Sequence, residues 1–271
     1  MGVRGIGIWT GLAVLLAAGA AQAQSSESLG VGQLSGNLTV DYDRYDNNSH
    51  SANQWNANGS AVLTIDNPGI NLQINAGNSN VTIPKMNDTN DWGYGGDFYW
   101  RDYAGDFGVN VNESTFSGPG TGDRNFLSGG FFGEFFVSQN LTLRAKGGRM
   151  QGDVDGWYGD TGLVYYAFDA MALSVTADTI QLQHDGPKFT DGEIGVEYLP
   201  VRDVPISLGL NYTFGRSQHL IGGFGGDTNI FSIALKAYFG GGGRNGGLVD
   251  YQRNGATDWD GVPSTVVSTT F

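Results

Sequence analysis

From Gln33 to Asp43 the chain alternates strictly: Leu34, Gly36, Leu38, Val40 and Tyr42 are apolar or small, while Gln33, Ser35, Asn37, Thr39, Asp41 and Asp43 are polar. A period of two is the signature of a strand with one oily face and one wet face. The pattern returns over Trp55–Ile65, Ile70–Ala76, Trp92–Trp100, Phe107–Val111, Leu127–Val137 and Leu141–Gly147. It continues over Trp157–Ala167, Leu173–Ala177, Ile194–Tyr198, Ile206–Phe214 and Phe231–Phe239, which predicts twelve strands in all. Two places resist it: Phe131-Phe132 with Phe135-Phe136, and Tyr165-Tyr166, put aromatics on both faces. A parity slip after Thr179 predicts a bulge or an early strand end.

The joints alternate in length. The short ones are Asp66–Gly69, Arg101–Asp106, Ser138–Asn140, Phe168–Ala170 and Pro200–Pro205, rich in turn formers. The long ones run about Tyr45–Gln54, Asn78–Asp91, Ser114–Arg124, Gln151–Gly156, Gln183–Thr190 and Gly215–Thr228. Short turns at one end and longer polar loops at the other predict an up-and-down antiparallel barrel.

Before the strands lies a segment of another kind. Arg4, the apolar run Ile6–Ala18 and the small residues of Ala21-Gln22-Ala23 predict a signal peptide over residues 1–23, cleaved before Gln24. The apolar run is shorter than the ~20 residues a helical span requires. The barrel is assigned to 24–240, and a Gly-rich C-terminal extension, a periplasmic tail, lumen plug or extra hairpin, to 241–271. The last alternative raises the count to fourteen strands, with Leu248–Arg253 and Val262–Phe271 as the added pair; Pro263 and the glycines before it disfavour regular strands.

Composition narrows the chemistry. Of 271 residues none is Cys, which removes disulfides, thiolate metal sites and a Cys nucleophile. The formal charge of −13, from 27 Asp and Glu against 14 Lys and Arg, excludes the basic footprint of a nucleic-acid partner.

The chain resembles the Gram-negative outer-membrane β-barrels, most of all small porin-like channels. The resemblance covers Gly32–Gly240 and rests on the alternation and on Phe231–Phe239, which is similar to the closing-strand signal of such barrels. It implies short periplasmic turns, longer extracellular loops, and partners in outer-membrane lipid, lipopolysaccharide and the barrel-assembly machinery. Tyr42, Trp55, Trp92, Trp100, Trp157, Tyr198, Tyr212 and Phe239 then fit interfacial girdles. Backbone accounting agrees, because strands cross hydrocarbon only when the sheet closes and leaves no unpaired edge.

Function in such a barrel lies on the inward parity. The charged candidates to line a pore are Asp41, Asp43, Asp97, Arg101, Glu134, Arg144, Lys146, Asp160, Asp178, Glu193, Glu197 and Lys236. One reading is a narrow aqueous lumen that passes small hydrophilic solutes, with a transverse field from both signs of charge and a cation preference from the acidic excess. The other is a closed barrel of mutually paired charges with a structural or surface-binding role, by adhesion or lipid anchoring. A soluble β-sandwich of adhesin or lectin type is a third class. No catalytic set, cofactor or metal site is expected. His50, His184 and His219 fall in predicted loops without the partners of a hydrolase, and Asp153-Val154-Asp155-Gly156 lacks the other oxygen ligands of a Ca²⁺ loop.

Overall fold

The computed structural model describes residues 32–47, 51–65, 69–82, 89–118, 122–153, 155–182, 188–201, 204–218, 226–240 and 246–257. Signal peptide, all three histidines, Val154 and Val262–Phe271 lie outside them.

Twelve strands form one closed antiparallel barrel in which each strand pairs with its sequence neighbours. They are β1 (Gln33–Asn47), β2 (Ser51–Thr64), β3 (Gly69–Thr82), β4 (Thr89–Asp102), β5 (Gly105–Gly118) and β6 (Gly122–Ser138). Then come β7 (Leu141–Gly152), β8 (Gly156–Phe168), β9 (Met171–Leu182), β10 (Lys188–Tyr198), β11 (Ile206–Gln218) and β12 (Gly226–Phe239). The ring closes where β1 meets β12, in a ladder running from Gly36 opposite Phe239 to Asn47 opposite Thr228. A helix, α1 (Leu248–Asn254), follows. Leu248–Arg253 is therefore helical and supplies no thirteenth strand.

The faces are inverted relative to a water-soluble protein. Leu72, Phe98, Val111, Phe131, Ile194, Leu208 and Ile233 are exposed on the outside, with Ile74 at 69% and Phe131 at 75%. Ser35, Gln54, Asn71, Gln73, Asn110 and Thr142 are buried inside. Only hydrocarbon accommodates such an exterior without a large hydration cost, and the closed ladder leaves no edge for lipid to face. All strands but the 11-residue β10 exceed the ~9–11 residues that cross a bilayer, up to 17 in β6, so they project beyond it. Trp55, Trp92, Tyr94 and Trp157 lie toward the loop end of their strands and Trp100, Phe107, Phe135 and Tyr198 toward the turn end.

Three sequence expectations change in detail. The strands continue into the predicted long joints: Tyr45 and Asp46 pair with Ala52 and Ser51, and Asn80 with Asn90. Beyond the membrane both faces are wet, so the alternation fades while the ladder persists. β9 neither bulges nor ends at Thr179, because its pairing with β10 continues through Ile180 and Gln181. Ile180 breaks parity because it points inward, into an apolar cluster with Phe126, Met150, Tyr158 and Phe189. The register shifts lie instead at Phe136/Ser138 and Tyr166/Phe168, next to two of the short turns.

Candidate functional site

The interior is divided into a packed half and an open half, and cross-strand register decides which is which. On the packed side Arg101 stands opposite Asp106, Asp106 opposite Glu134, and Glu134 opposite Arg144, a row crossing β4 to β7. Its charges pair at the ends: the Arg101 guanidinium donates to Asp106 through Nε at 2.9 and 3.0 Å and through Nη2 at 2.7 Å. Arg144 lies 3.1 Å from Glu134. Above this row Ser60 and Gln73 donate to Asn75 at 2.7 and 2.8 Å, and Asn75 donates to Asp97 at 2.8 Å. Asp97, Arg101 and Glu134 are thus each buried and bonded within the packed half and do not border the cavity.

Tyr158 extends across this wall. Its hydroxyl reaches Asn110 at 3.3 Å, and it lies where a Cβ on Gly130 or Gly148 would stand, 2.7 and 2.5 Å from the hydroxyl oxygen. Those two positions accept no side chain while the ring is there.

On the open side a cavity of about 400 Å³ is enclosed by β1, β2 and β7–β12. Nine of the twelve charged candidates border it: Asp41, Asp43, Arg144, Lys146, Asp160, Asp178, Glu193, Glu197 and Lys236. A second row runs here, with Lys146 opposite Asp160, Asp160 opposite Asp178, and Asp178 opposite Asp191. Side chains directly opposite in neighbouring strands have Cβ atoms ~4.5–5.5 Å apart, where like charges repel. The one cation in this row is Lys146, 3.9 Å from Asp160. Unlike the lower row, this one carries a surplus of negative charge into open space. Asp191 shares the parity of Glu193 and Glu197 but lies between the predicted loop, which ends at Thr190, and the alternation, which begins at Ile194, and is not among the sequence candidates.

The chain after β12 turns back into the lumen at the turn end. Gly240 and Gly246 have φ of 62° and 58°, left-handed values that glycine adopts without strain. The Leu248 amide donates to the Asp169 carbonyl at 2.6 Å, and its side chain is buried with Val164, Tyr166, Ala172 and Tyr238. Tyr251 stacks on Tyr238 at 5.1 Å. Gln252 accepts from the Tyr166 hydroxyl at 2.9 Å and donates to Glu197 at 2.8 Å. Arg253 donates to the carbonyls of Ser138 and Leu141 at 2.7 and 3.1 Å and to the Thr142 hydroxyl, beneath the rings of Phe136 and Tyr166 at 4.7 and 5.3 Å.

Beyond the helix the segment reaches the packed half. The Gly255 carbonyl accepts from Arg101 at 3.0 Å, and Ala256 is buried with Val62, Tyr99 and Phe132. The Gln73 amide holds the Thr257 backbone from both sides, donating to its carbonyl at 2.9 Å and accepting from its N–H at 3.0 Å. The doubled aromatics that resisted alternation find their reason here: Phe132, Phe136 and Tyr166 face inward and pack on this segment.

No protein-family model matches the chain, and no curated protein matches it in sequence. Among solved structures, the KdgM porin aligns over 74% of this chain and 99% of its own, at 9% identity and a TM-score of 0.49. The CymD monoaromatic hydrocarbon channel aligns over 81% and 91%, at 9% identity and a TM-score of 0.47. The NanC porin aligns over 74% of this chain and 98% of its own, at 14% identity and a TM-score of 0.53. The NanC likeness is one of fold, and it agrees with the inverted faces and the closed ladder: the chain is a transmembrane β-barrel on a porin-like plan.

Proposed function

We propose that this protein is an outer-membrane channel through which small hydrophilic solutes diffuse, with a preference for cations. The observation that carries this reading is the cavity on the β7–β12 side. Asp41, Asp43, Asp160, Asp178, Asp191, Glu193 and Glu197 border it, against Arg144, Lys146 and Lys236. A lumen with such a surplus lowers the energy of a passing cation and raises that of an anion, most strongly where low-dielectric walls focus the field. Uncharged hydroxyls and amides of Asn37, Asn58, Ser174, Thr176 and Asn211 offer replacement hydrogen bonds to the solute's hydration shell. The test is recording in planar bilayers under a salt gradient: stepwise conductance with a reversal potential displaced toward the cation's equilibrium value is expected. Absence of steps in folded, inserted protein, or an anion-directed displacement, contradicts it.

The packed half of the lumen favours a second reading, a closed barrel with a structural or surface-binding role. Proteoliposome swelling in small sugars separates the two, since only the channel admits them.

A further inference from the structure

We infer that Gly246–Thr257 is a displaceable plug closing the turn end of the lumen, with Arg253 as its latch; this rests on the channel reading. Gln252 borders the cavity alongside Glu197, so this segment is the cavity's floor, and a solute leaving through the turn end meets it first.

Two properties separate a plug from a permanent piece of wall. The barrel is complete without it: β1 pairs with β12 directly, so withdrawing the segment opens no strand ladder. Among the described residues its polar attachments are side-chain bonds and one backbone bond from Leu248 to Asp169 in the β8–β9 turn, replaceable by water, and its apolar anchors are limited to Leu248, Val249, Tyr251 and Ala256. The wall is nonetheless shaped for it. Phe136 and Tyr166 place rings on the inward, wet face of their strands, and what they face is the Arg253 guanidinium. An aromatic turned into an aqueous lumen costs hydration free energy, and a partner that covers it recovers the loss. Arg253 also satisfies the Ser138 and Leu141 carbonyls beside the β6–β7 turn, so one side chain ties the helix to the rim.

The cysteine-free chain provides the test. Ala256, buried at 4% between the plug and Val62, Tyr99 and Phe132 and away from the cavity, becomes a single probe as Ala256→Cys in the folded full chain, scored by its labelling rate with a charged maleimide, in parallel with bilayer conductance. Adding Arg253→Ala removes its bonds to Ser138, Leu141 and Thr142 and its contacts with two rings, and is expected to speed labelling at least ~10-fold and to raise the conductance. Gln252→Ala, which frees the floor from Glu197, is the second variant if the first does not insert, and is expected to move both readouts the same way. Unchanged labelling in a conducting barrel overturns the plug and leaves the channel standing. Faster labelling without conductance upholds a displaceable segment and overturns the channel.

Discussion

Replacing Arg101 by Met tests the cost of the buried charge row, and a double variant that also replaces Asp106 and loses the same bond to the Gly255 carbonyl corrects for that contact. Arg101 and Asp106 are both enclosed, with side-chain exposures of 7% and 0%, and the pair is joined by a forked guanidinium–carboxylate contact. Asp106 also stands opposite Glu134, so removing the guanidinium leaves two carboxylates facing each other across β5 and β6, with Arg144 alone to neutralise them. Breaking one side of a buried pair costs about 3–5 kcal/mol, because the surviving charge keeps its desolvation penalty and loses its partner. Replacing both members with apolar residues of similar volume removes that orphan, so Arg101→Met with Asp106→Leu is expected to recover most of the loss. Reversible unfolding in detergent micelles by guanidinium, followed by tryptophan fluorescence, gives the free energies. A cost under about 1 kcal/mol for the single variant, or a double variant less stable than the single one, refutes the argument that this half is held by paired buried charge.

Converting Asp160, Asp178 and Asp191 together to Asn removes the surplus from the upper row; the reversal potential under a salt gradient is expected to move toward zero, while Asp97→Asn in the packed half leaves it unchanged. Ile74 faces outward near the middle of β3, and Ile74→Arg places a charge in hydrocarbon at a cost of about 2–4 kcal/mol, measured by unfolding in lipid bilayers. Gly148→Ala sets a Cβ 2.3 Å from the Gly129 carbonyl oxygen as well as against Tyr158, so it is expected to destabilise by about 1–3 kcal/mol. Adding Tyr158→Phe is expected not to restore stability, because the backbone clash remains; full recovery would place the conflict in the hydroxyl alone.

The fold was largely legible because a membrane barrel enforces its alternation from outside: outward positions within the bilayer meet hydrocarbon, so Leu34–Tyr42 carries the pattern throughout and Phe231–Phe239 departs from it only at the inward Tyr238, which packs on Leu248 and Tyr251. Where the chain leaves the membrane the constraint ends, and the sequence lost the strand ends at Tyr45 and Asn80 although the ladder continues there. Inside the barrel, parity tells which side chains point inward but not which neighbours they meet. Asp97 and Asp178 look alike in sequence, yet one accepts from Asn75 in a packed network and the other borders open space. That difference arises from register across three or four strands, a non-local property. The inserted segment leaves a trace in the sequence as the inward aromatics Phe132, Phe136 and Tyr166 that interrupt the alternation.

The most direct test of the inverted barrel is a nitroxide scan of β12 in lipid bilayers, from Phe231 to Ala237, comparing collision with oxygen, which dissolves in hydrocarbon, against a water-soluble nickel chelate. Phe231, Ile233, Leu235 and Ala237 are expected to collide with oxygen, and Ser232, Ala234 and Lys236, which border the cavity, with nickel. Odd positions shielded from both probes, as between two stacked sheets, or oxygen access at the even ones, would contradict it.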